Sequence, residues 1–308
     1  MEYRRVGRSG LKVSALSLSG WVTSGGGAHC DEFGRILSVA LERGVNLVDL
    51  ADIYGGGAAE QAMGRLLRGY PRRQLVLSSK CYWPMSEGVN DRGLSRKHIM
   101  ESVEGSLRRL QTDYLDLYVC QHYDDDCPTE ETARAMDDLV RQGKVLYWGT
   151  SAWSAGQVRE AHRAAAHYRA HGPTVEMPLY NLHERAIEAE LMPTAAELGV
   201  GLIVWGALAG GALTGKYAGE RRAGASRWVE PWVEGAAEEK NAQLLALAAD
   251  AGVAPSQLAL AWALRAPTVA SALMGVTSEE QLLENLGALE LRLSDEVLSR
   301  LEAIFRAP

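Results

Sequence analysis

A few side chains in this sequence can hold or move a proton beside a reacting carbonyl. The run VDLADIYGGG presents Asp49 and then Tyr54, and LSSKCYW presents Lys80. DLYVCQHYDD, residues 116–125, sets Gln121 and His122 side by side. A carboxylate beside a lysine keeps the lysine charged even out of water. A charged lysine beside a phenol favours phenolate and lowers the tyrosine pKa. A tyrosine tuned in this way can protonate a developing alkoxide near neutral pH, as a general acid. The adjacent Gln and His divide two kinds of catalyst, because histidine titrates near neutral pH and glutamine does not. Neighbouring residues of a strand point to opposite faces, so one of the two enters the site unless the strand bulges. Alternation alone leaves the choice open.

Such residues need a scaffold that brings several strand ends together. ALSLS (15–19), VNLVDL (45–50), QLVLSSK (74–80), DYLDLYVC (113–120), VLYWGTS (145–151), TVEM (174–177), GLIVWG (201–206) and ASALMG (270–275) are short apolar runs of the kind that form buried strands. Helical periods lie between them. Residues 31–44 place Phe33, Ile36, Leu37 and Ala40 on one face and stop at Gly44. Residues 95–110 open on Ser95 as N-cap, with Ile99, Val103, Leu107 and Leu110 on one side. A capped amphipathic helix is expected over 129–144, ending at Gly143, and another from Ser154 to Gly172. Residues 255–267 begin on Pro255 near N1 and stop before Pro267.

Eight strands, mostly each followed by a helix, read as an α/β fold, a (β/α)8 barrel. EYRRVG and LKVSALSLSG supply an N-terminal β-hairpin, and extra helices follow at the C-terminal end. No linker divides residues 1–308, so a single domain is expected. An open doubly wound sheet is the alternative. Against it, GGGA (25–28) and GGGAAE (55–60) lack the glycine spacing of a dinucleotide fingerprint. Residues 219–239 have no clear period and would form a long loop on the catalytic face.

Composition removes other classes. Lys+Arg total 32 against Asp+Glu 39, a net charge of −7, so a basic face for nucleic acid is not expected. No stretch approaches the ~20 apolar residues of a membrane span, and the first ten residues have no signal-peptide apolar region. Cys30, Cys81, Cys120 and Cys127 lack metal-type spacing and read as cytoplasmic thiols, with no metal site.

GVNLVDLADIYGGG, DRGLSRKHIMESVEGSLRRLQTDYLDLY, GKVLYWGTSAWS, LAGGALTGKY and GVTSEEQLLENLGALE resemble segments of the aldo-keto reductases at the same relative positions. The resemblance covers nearly the whole chain and points to a bacterial member of the branch that includes the voltage-gated potassium channel β subunits. It implies NADPH as cofactor, bound without a Rossmann domain. Asp49, Tyr54 and Lys80 match three of the family's four catalytic residues. Gly20 and Trp21 match the loop after the first barrel strand. Asp49, Ser151, Met177 and Gly206 fall at cofactor positions, and Trp205 matches the aromatic that stacks on the nicotinamide. Leu208, Gly210 and Lys216 match the pyrophosphate loop, and Arg227 a basic residue near the adenosine phosphates. Gly275, Thr277, Gln281, Glu284 and Asn285 match the adenosine end.

The family's fourth catalytic residue, usually His, lies five residues after the Asp of its Asp-Leu-Tyr. Counted from Asp116 that position is Gln121, an amide as in the channel β subunits, and His122 becomes a rim residue. Met177 replaces a Gln that contacts the carboxamide, Gly206 replaces a Ser, and Ala152 stands where the channel β subunits have Arg. Trp21, Tyr82, Trp83, His122, Tyr123, Trp228 and Trp232 are the candidates to line the mouth.

The implied activity is reduction of an aldehyde or ketone. Reduction of an activated C=C bond and a redox-sensing accessory role are the alternatives. The Ala/Gly/Arg-rich composition is that of GC-rich bacteria, where relatives serve natural-product pathways, including polyketide ketone reduction. The branch implies a homo-oligomer, a tetramer or octamer, with no nucleic-acid or membrane partner.

Overall fold

A computed structural model of the chain describes residues 1–21, 28–218 and 229–306, with residues 28–31 described by their backbone alone. Among the described residues ten strands form: β1 (Tyr3–Arg5), β2 (Lys12–Ser14), β3 (Leu16–Ser19), β4 (Leu47–Asp49), β5 (Val76–Cys81), β6 (Leu115–Cys120), β7 (Val145–Ser151), β8 (Val175–Met177), β9 (Gly201–Val204) and β10 (Val269–Met274). β3 to β10 close a barrel in sequence order, and every pairing is parallel. Each of the eight apolar runs therefore supplies one barrel strand. The doubly wound alternative is excluded, since an open sheet would leave β3 and β10 unpaired, whereas Leu16 pairs with Ala272.

Two apolar layers hold the barrel. The inner one is built by Leu47, Val76, Leu117, Val119, Val175, Met177, Ile203, Ala270 and Leu273. The outer one joins the alternate strand residues, among them Val48, Leu77, Tyr118, Cys120, Leu202 and Val204, to the surrounding helices. Most barrel strands are buried on both faces, so their runs are largely apolar rather than alternating; β7 is the exception at its start, where Leu146 is exposed. β1 and β2 pair antiparallel as a hairpin, and their Val6 and Val13 pack into the inner layer beside Leu47 and Val76. The hairpin thus caps the N-terminal end of the barrel. Gly7 (φ +57) is needed there, because a Cβ on it would lie 2.1 Å from the Gly199 carbonyl oxygen.

The helices are α1 (Ala28–Glu42), α2 (Ala58–Leu66), α3 (Arg96–Leu110), α4 (Thr129–Arg141), α5 (Ala155–His167), α6 (Leu191–Leu198), α7 (Ala236–Asp250), α8 (Pro255–Leu264), α9 (Glu279–Leu286) and α10 (Asp295–Phe305). Ser95 caps α3 by accepting the His98 N–H, and Ser154 with Gln157 closes a reciprocal capping box on α5. Three boundaries differ from the sequence reading. α4 opens on Pro128 with no side-chain cap, and Glu130 and Glu131 in its first turn complement the helix dipole instead. α5 ends at His167, ahead of Arg169, whose φ of 53° leaves the helical region. The stretch read as loop holds a 3₁₀ turn, Glu230–Trp232, and the start of α7, while 219–228 lie outside the described residues. Among the described residues no single helix is long and apolar enough to cross a membrane.

Candidate active site

The phase of each strand decides what reaches the open, C-terminal end of the barrel. On β4, Leu47 faces the inner layer, so Asp49 does too. On β5, Val76 faces inward, and so does Lys80 four residues on. On β6 the inward residues are Leu117 and Val119, which puts Gln121 in step with them and turns His122 the other way. The Gln121 N–H donates to the Cys81 carbonyl at 3.0 Å, and the β5–β6 register runs unshifted up to that point, so no bulge reverses the phase.

Asp49, Lys80 and Tyr54 form one cluster. The Lys80 Nζ donates to Asp49 Oδ2 at 2.5 Å and to the Leu50 carbonyl at 2.6 Å, with both charged side chains nearly out of solvent. The same ammonium lies 5.2 Å from the Tyr54 ring centroid, within reach of its hydroxyl. Burial works against the charge on Lys80, but Asp49 and Tyr54 together outweigh it and hold the amine above its ordinary value. Tyr54 behaves differently from the expectation. Burial pushes its phenol up more than Lys80 pulls it down, so its pKa stands above the ordinary tyrosine value rather than below it. The Trp21 ring, itself exposed, meets Tyr54 edge-on at 5.0 Å. Gly20 beside it is buried against Asp49 and Leu50.

Across the mouth, neutral hydrogen bonds replace charges. The Met177 carbonyl accepts from Ser151 Oγ at 2.9 Å, from the Ala152 N–H at 3.2 Å and from Trp205 Nε1 at 3.2 Å. Ala152 holds a left-handed φ of 57°. Gly206 also has positive φ, and its carbonyl accepts from the buried Asn181 amide at 2.9 Å. Leu208 leads into a turn in which Ala209, Gly210 and Gly211 all have positive φ, and Lys216 follows it, exposed, its Nζ 5.3 Å from the Tyr217 ring. Gly275 follows β10, exposed at the surface. After it, Gln281 Oε1 accepts from the Thr277 N–H at 2.9 Å, Glu284 Oε1 accepts from Ser256 Oγ at 2.5 Å, and Asn285 is buried. Arg227 and Trp228 lie outside the described residues.

The rim aromatics separate into two groups. Tyr82, Trp83 and His122 pack together, with His122 at 5.4 Å from Tyr82 and 4.9 Å from Trp83, and burial lowers the imidazole pKa. Tyr123 and Trp232 pack apart from them. Tyr123 packs edge-on to Trp153 and its hydroxyl meets Thr129 Oγ1 and Glu160 Oε2 at 3.1 and 3.4 Å, in the helix layer. Trp232 is buried, with Nε1 donating to Glu184 Oε1 at 3.0 Å.

Three polar groups around the mouth escaped the sequence reading. Asp52 is buried, accepts from Ser102 Oγ at 2.7 Å, and burial raises it to about 7. Glu176 is buried behind Met177, and burial raises it to about 8. Asn181 braces the backbone at Gly206. Their only signal in the sequence was a polar residue inside an apolar stretch.

The aldo/keto reductase family profile matches residues 19–306. A probable voltage-gated potassium channel subunit beta of Oryza sativa subsp. japonica is 40% identical over 321 residues, covering 100% of this chain and 97% of that protein. A probable voltage-gated potassium channel subunit beta of Arabidopsis thaliana is 40% identical over 320 residues, with the same coverage.

Proposed function

The chain belongs to the aldo/keto reductase family, a family of oxidoreductases that generally use NADP(H), and from that premise we propose that it reduces an aldehyde or ketone with NADPH, Tyr54 acting as general acid. The observation that carries the reading is the buried Asp49–Lys80 pair against Tyr54. A buried ion pair contributes little to stability on balance, so its presence at an open strand end fits a chemical role. The nicotinamide, when bound, supplies hydride to the carbonyl carbon. Tyr54 gives its proton to the carbonyl oxygen. Its raised pKa keeps that proton in place through neutral pH, and Lys80 limits the rise. Gln121 donates a neutral hydrogen bond to the same oxygen.

The donor set fits the dinucleotide. Trp205 offers a flat ring fixed through its Nε1, beside Ser151 and Met177. Leu208, Gly210 and Lys216 suit a pyrophosphate, with Thr277, Gln281, Glu284 and Asn285 at the adenosine end. Arg227 and Lys216 are the cations for the extra phosphate that separates NADPH from NADH. Trp21, Tyr82, Trp83 and His122 suit a bulky, partly aromatic ketone, such as a natural-product intermediate of polyketide type.

The test is NADPH consumption across a panel of aldehydes, ketones and enones, with NADH in parallel. Turnover of carbonyls with NADPH supports the reading, and turnover of enones alone replaces it by C=C reduction. The names of the two relatives favour a second reading, a redox-sensing accessory subunit. Tight NADPH binding with no turnover across the panel, together with co-purification with a membrane channel, would establish it instead.

A further inference from the structure

The buried acid Glu176 has no part in the chemistry above, yet it sits directly behind the neutral half of the mouth. Val175 and Met177 face the inner layer, so Glu176 points outward, between β8 and the helices. Its Oε2 is hydrogen-bonded to Thr150 Oγ1 at 2.5 Å, its Oε1 accepts from the Trp153 N–H at 3.2 Å, and the Ala152 N–H also reaches it. Among the described residues no cation pairs with it. The three groups it holds flank Ser151 and include the left-handed Ala152, a conformation that non-glycine residues seldom keep unaided.

We propose that Glu176 is a positioning residue for the nicotinamide: its carboxyl pins the Thr150–Trp153 turn so that Ser151 and the Met177 carbonyl present one fixed wall. This rests on the cofactor reading given above. The wall matters more here because Met177 brings no side-chain amide to orient the carboxamide. Burial without a cation favours the protonated carboxyl, whose Oε2–H then donates to Thr150 Oγ1 while Oε1 accepts from the backbone, so glutamine is its closest mimic. The glutamine oxygen can accept from the two backbone N–H groups, and its amide can donate to Thr150.

The experiment uses the whole chain and NADPH deuterated on one or the other face of the nicotinamide, with binding of NADPH and of an adenosine bisphosphate fragment measured alongside. Wild type should transfer label from one face only. Glu176→Ala should transfer detectably from both and bind NADPH about tenfold more weakly, as expected for buried N–H groups left without an acceptor. The fragment should bind as before. Glu176→Gln should recover single-face transfer. Should Glu176→Ala fail to fold, Thr150→Val removes one contact and should weaken NADPH about threefold with the fragment unaffected. Wild-type face selectivity and NADPH affinity in the folded Glu176→Ala protein, or in Thr150→Val where Glu176→Ala does not fold, overturns the proposal. Equal losses for NADPH and the fragment overturn it too, since they mark a general structural role. Wild type that binds neither NADPH nor the fragment removes the cofactor reading itself, and this proposal with it.

Discussion

The two arcs of the barrel mouth are held by different physics. From β4 to β6 the arc is organised by charge: Lys80 and Asp49 pair in near-complete burial, with Tyr54 on the ammonium. From β7 to β9 it is organised by neutral groups: three donors converge on the Met177 carbonyl, and the acid behind it keeps its proton. A buried charge survives only if paired, so the first arc costs stability and is sensitive to the loss of any member. The second arc is a frame of modest hydrogen bonds, each worth about 1 kcal/mol, and should yield by degrees. Proton donation calls for tunable charge, whereas presenting a flat ring to a substrate calls only for rigidity.

The contrast can be broken most decisively at Tyr54. Tyr54→Phe deletes one hydroxyl and should lower single-turnover carbonyl reduction by on the order of 10²–10⁴-fold. NADPH binding, followed by fluorescence, should hold. Retention of more than about a tenth of the rate, with chemistry limiting, would move the acid elsewhere. Next comes the pair itself. Lys80→Met leaves Asp49 buried and unpaired, and should destabilise the fold by about 3–5 kcal/mol in denaturant titration. Adding Asp49→Asn should recover most of that stability and none of the activity. A fully active double variant would show that charge is not what the first arc contributes.

Smaller effects sharpen the comparison. Gln121→His should add a limb to the kcat/KM pH profile near the ordinary histidine value of ~6.5. His122→Ala should keep the profile's shape and raise KM for a bulky ketone. A break near neutral pH in the wild-type profile should belong to Asp52 and vanish in Asp52→Asn, since Asp52 titrates at about 7 and its charge raises Tyr54 further. Should that break vanish in His122→Ala instead, the imidazole is the titrating group. A further effect lies in stability. Glu176 is raised from 4.5 to about 8 in the fold, so it keeps its proton where the unfolded chain has lost it. Unfolding is therefore favoured progressively as pH rises from about 4.5 to 8, and the penalty is constant above that. Glu176→Gln should flatten the fall of Tm over this window. An unchanged slope would mean that Glu176 is ionised in the folded protein.

Much of this was legible in the chain. The eight apolar runs mapped onto barrel strands because parallel strands buried on both faces leave that mark. The same double burial hid the phase of β6. Leu117, Tyr118, Val119 and Cys120 are all fully buried, so burial does not say from the sequence which pair faces the barrel, and Gln121 could be placed only by resemblance. Tyr54 was expected to be pulled down by Lys80. The opposing effect of burial depends on three-dimensional cover, which spacing does not carry. The packing of Tyr123 and Trp232 was hidden for a similar reason: an aromatic near a strand end serves the mouth or the helix layer equally well by sequence. Asp52 and Glu176 read as ordinary acids until their surroundings were known.

The N-terminal hairpin has a consequence for how the chain is made. Arg4 donates to the Leu264 and Val269 carbonyls at 2.7 and 3.0 Å, Arg8 to Gly199 at 2.8 Å, and Ser271 Oγ to the Ser14 carbonyl at 2.7 Å. β3 likewise finds one of its two neighbours only in β10. Residues 3–14 are thus among the last that can settle, because several of their partners are translated long after them. Until then residues 3–14 wait as a loose arm with Val6 and Val13 uncovered, and a nascent chain of this kind depends on rapid completion or on a chaperone to keep that arm from wandering into other company.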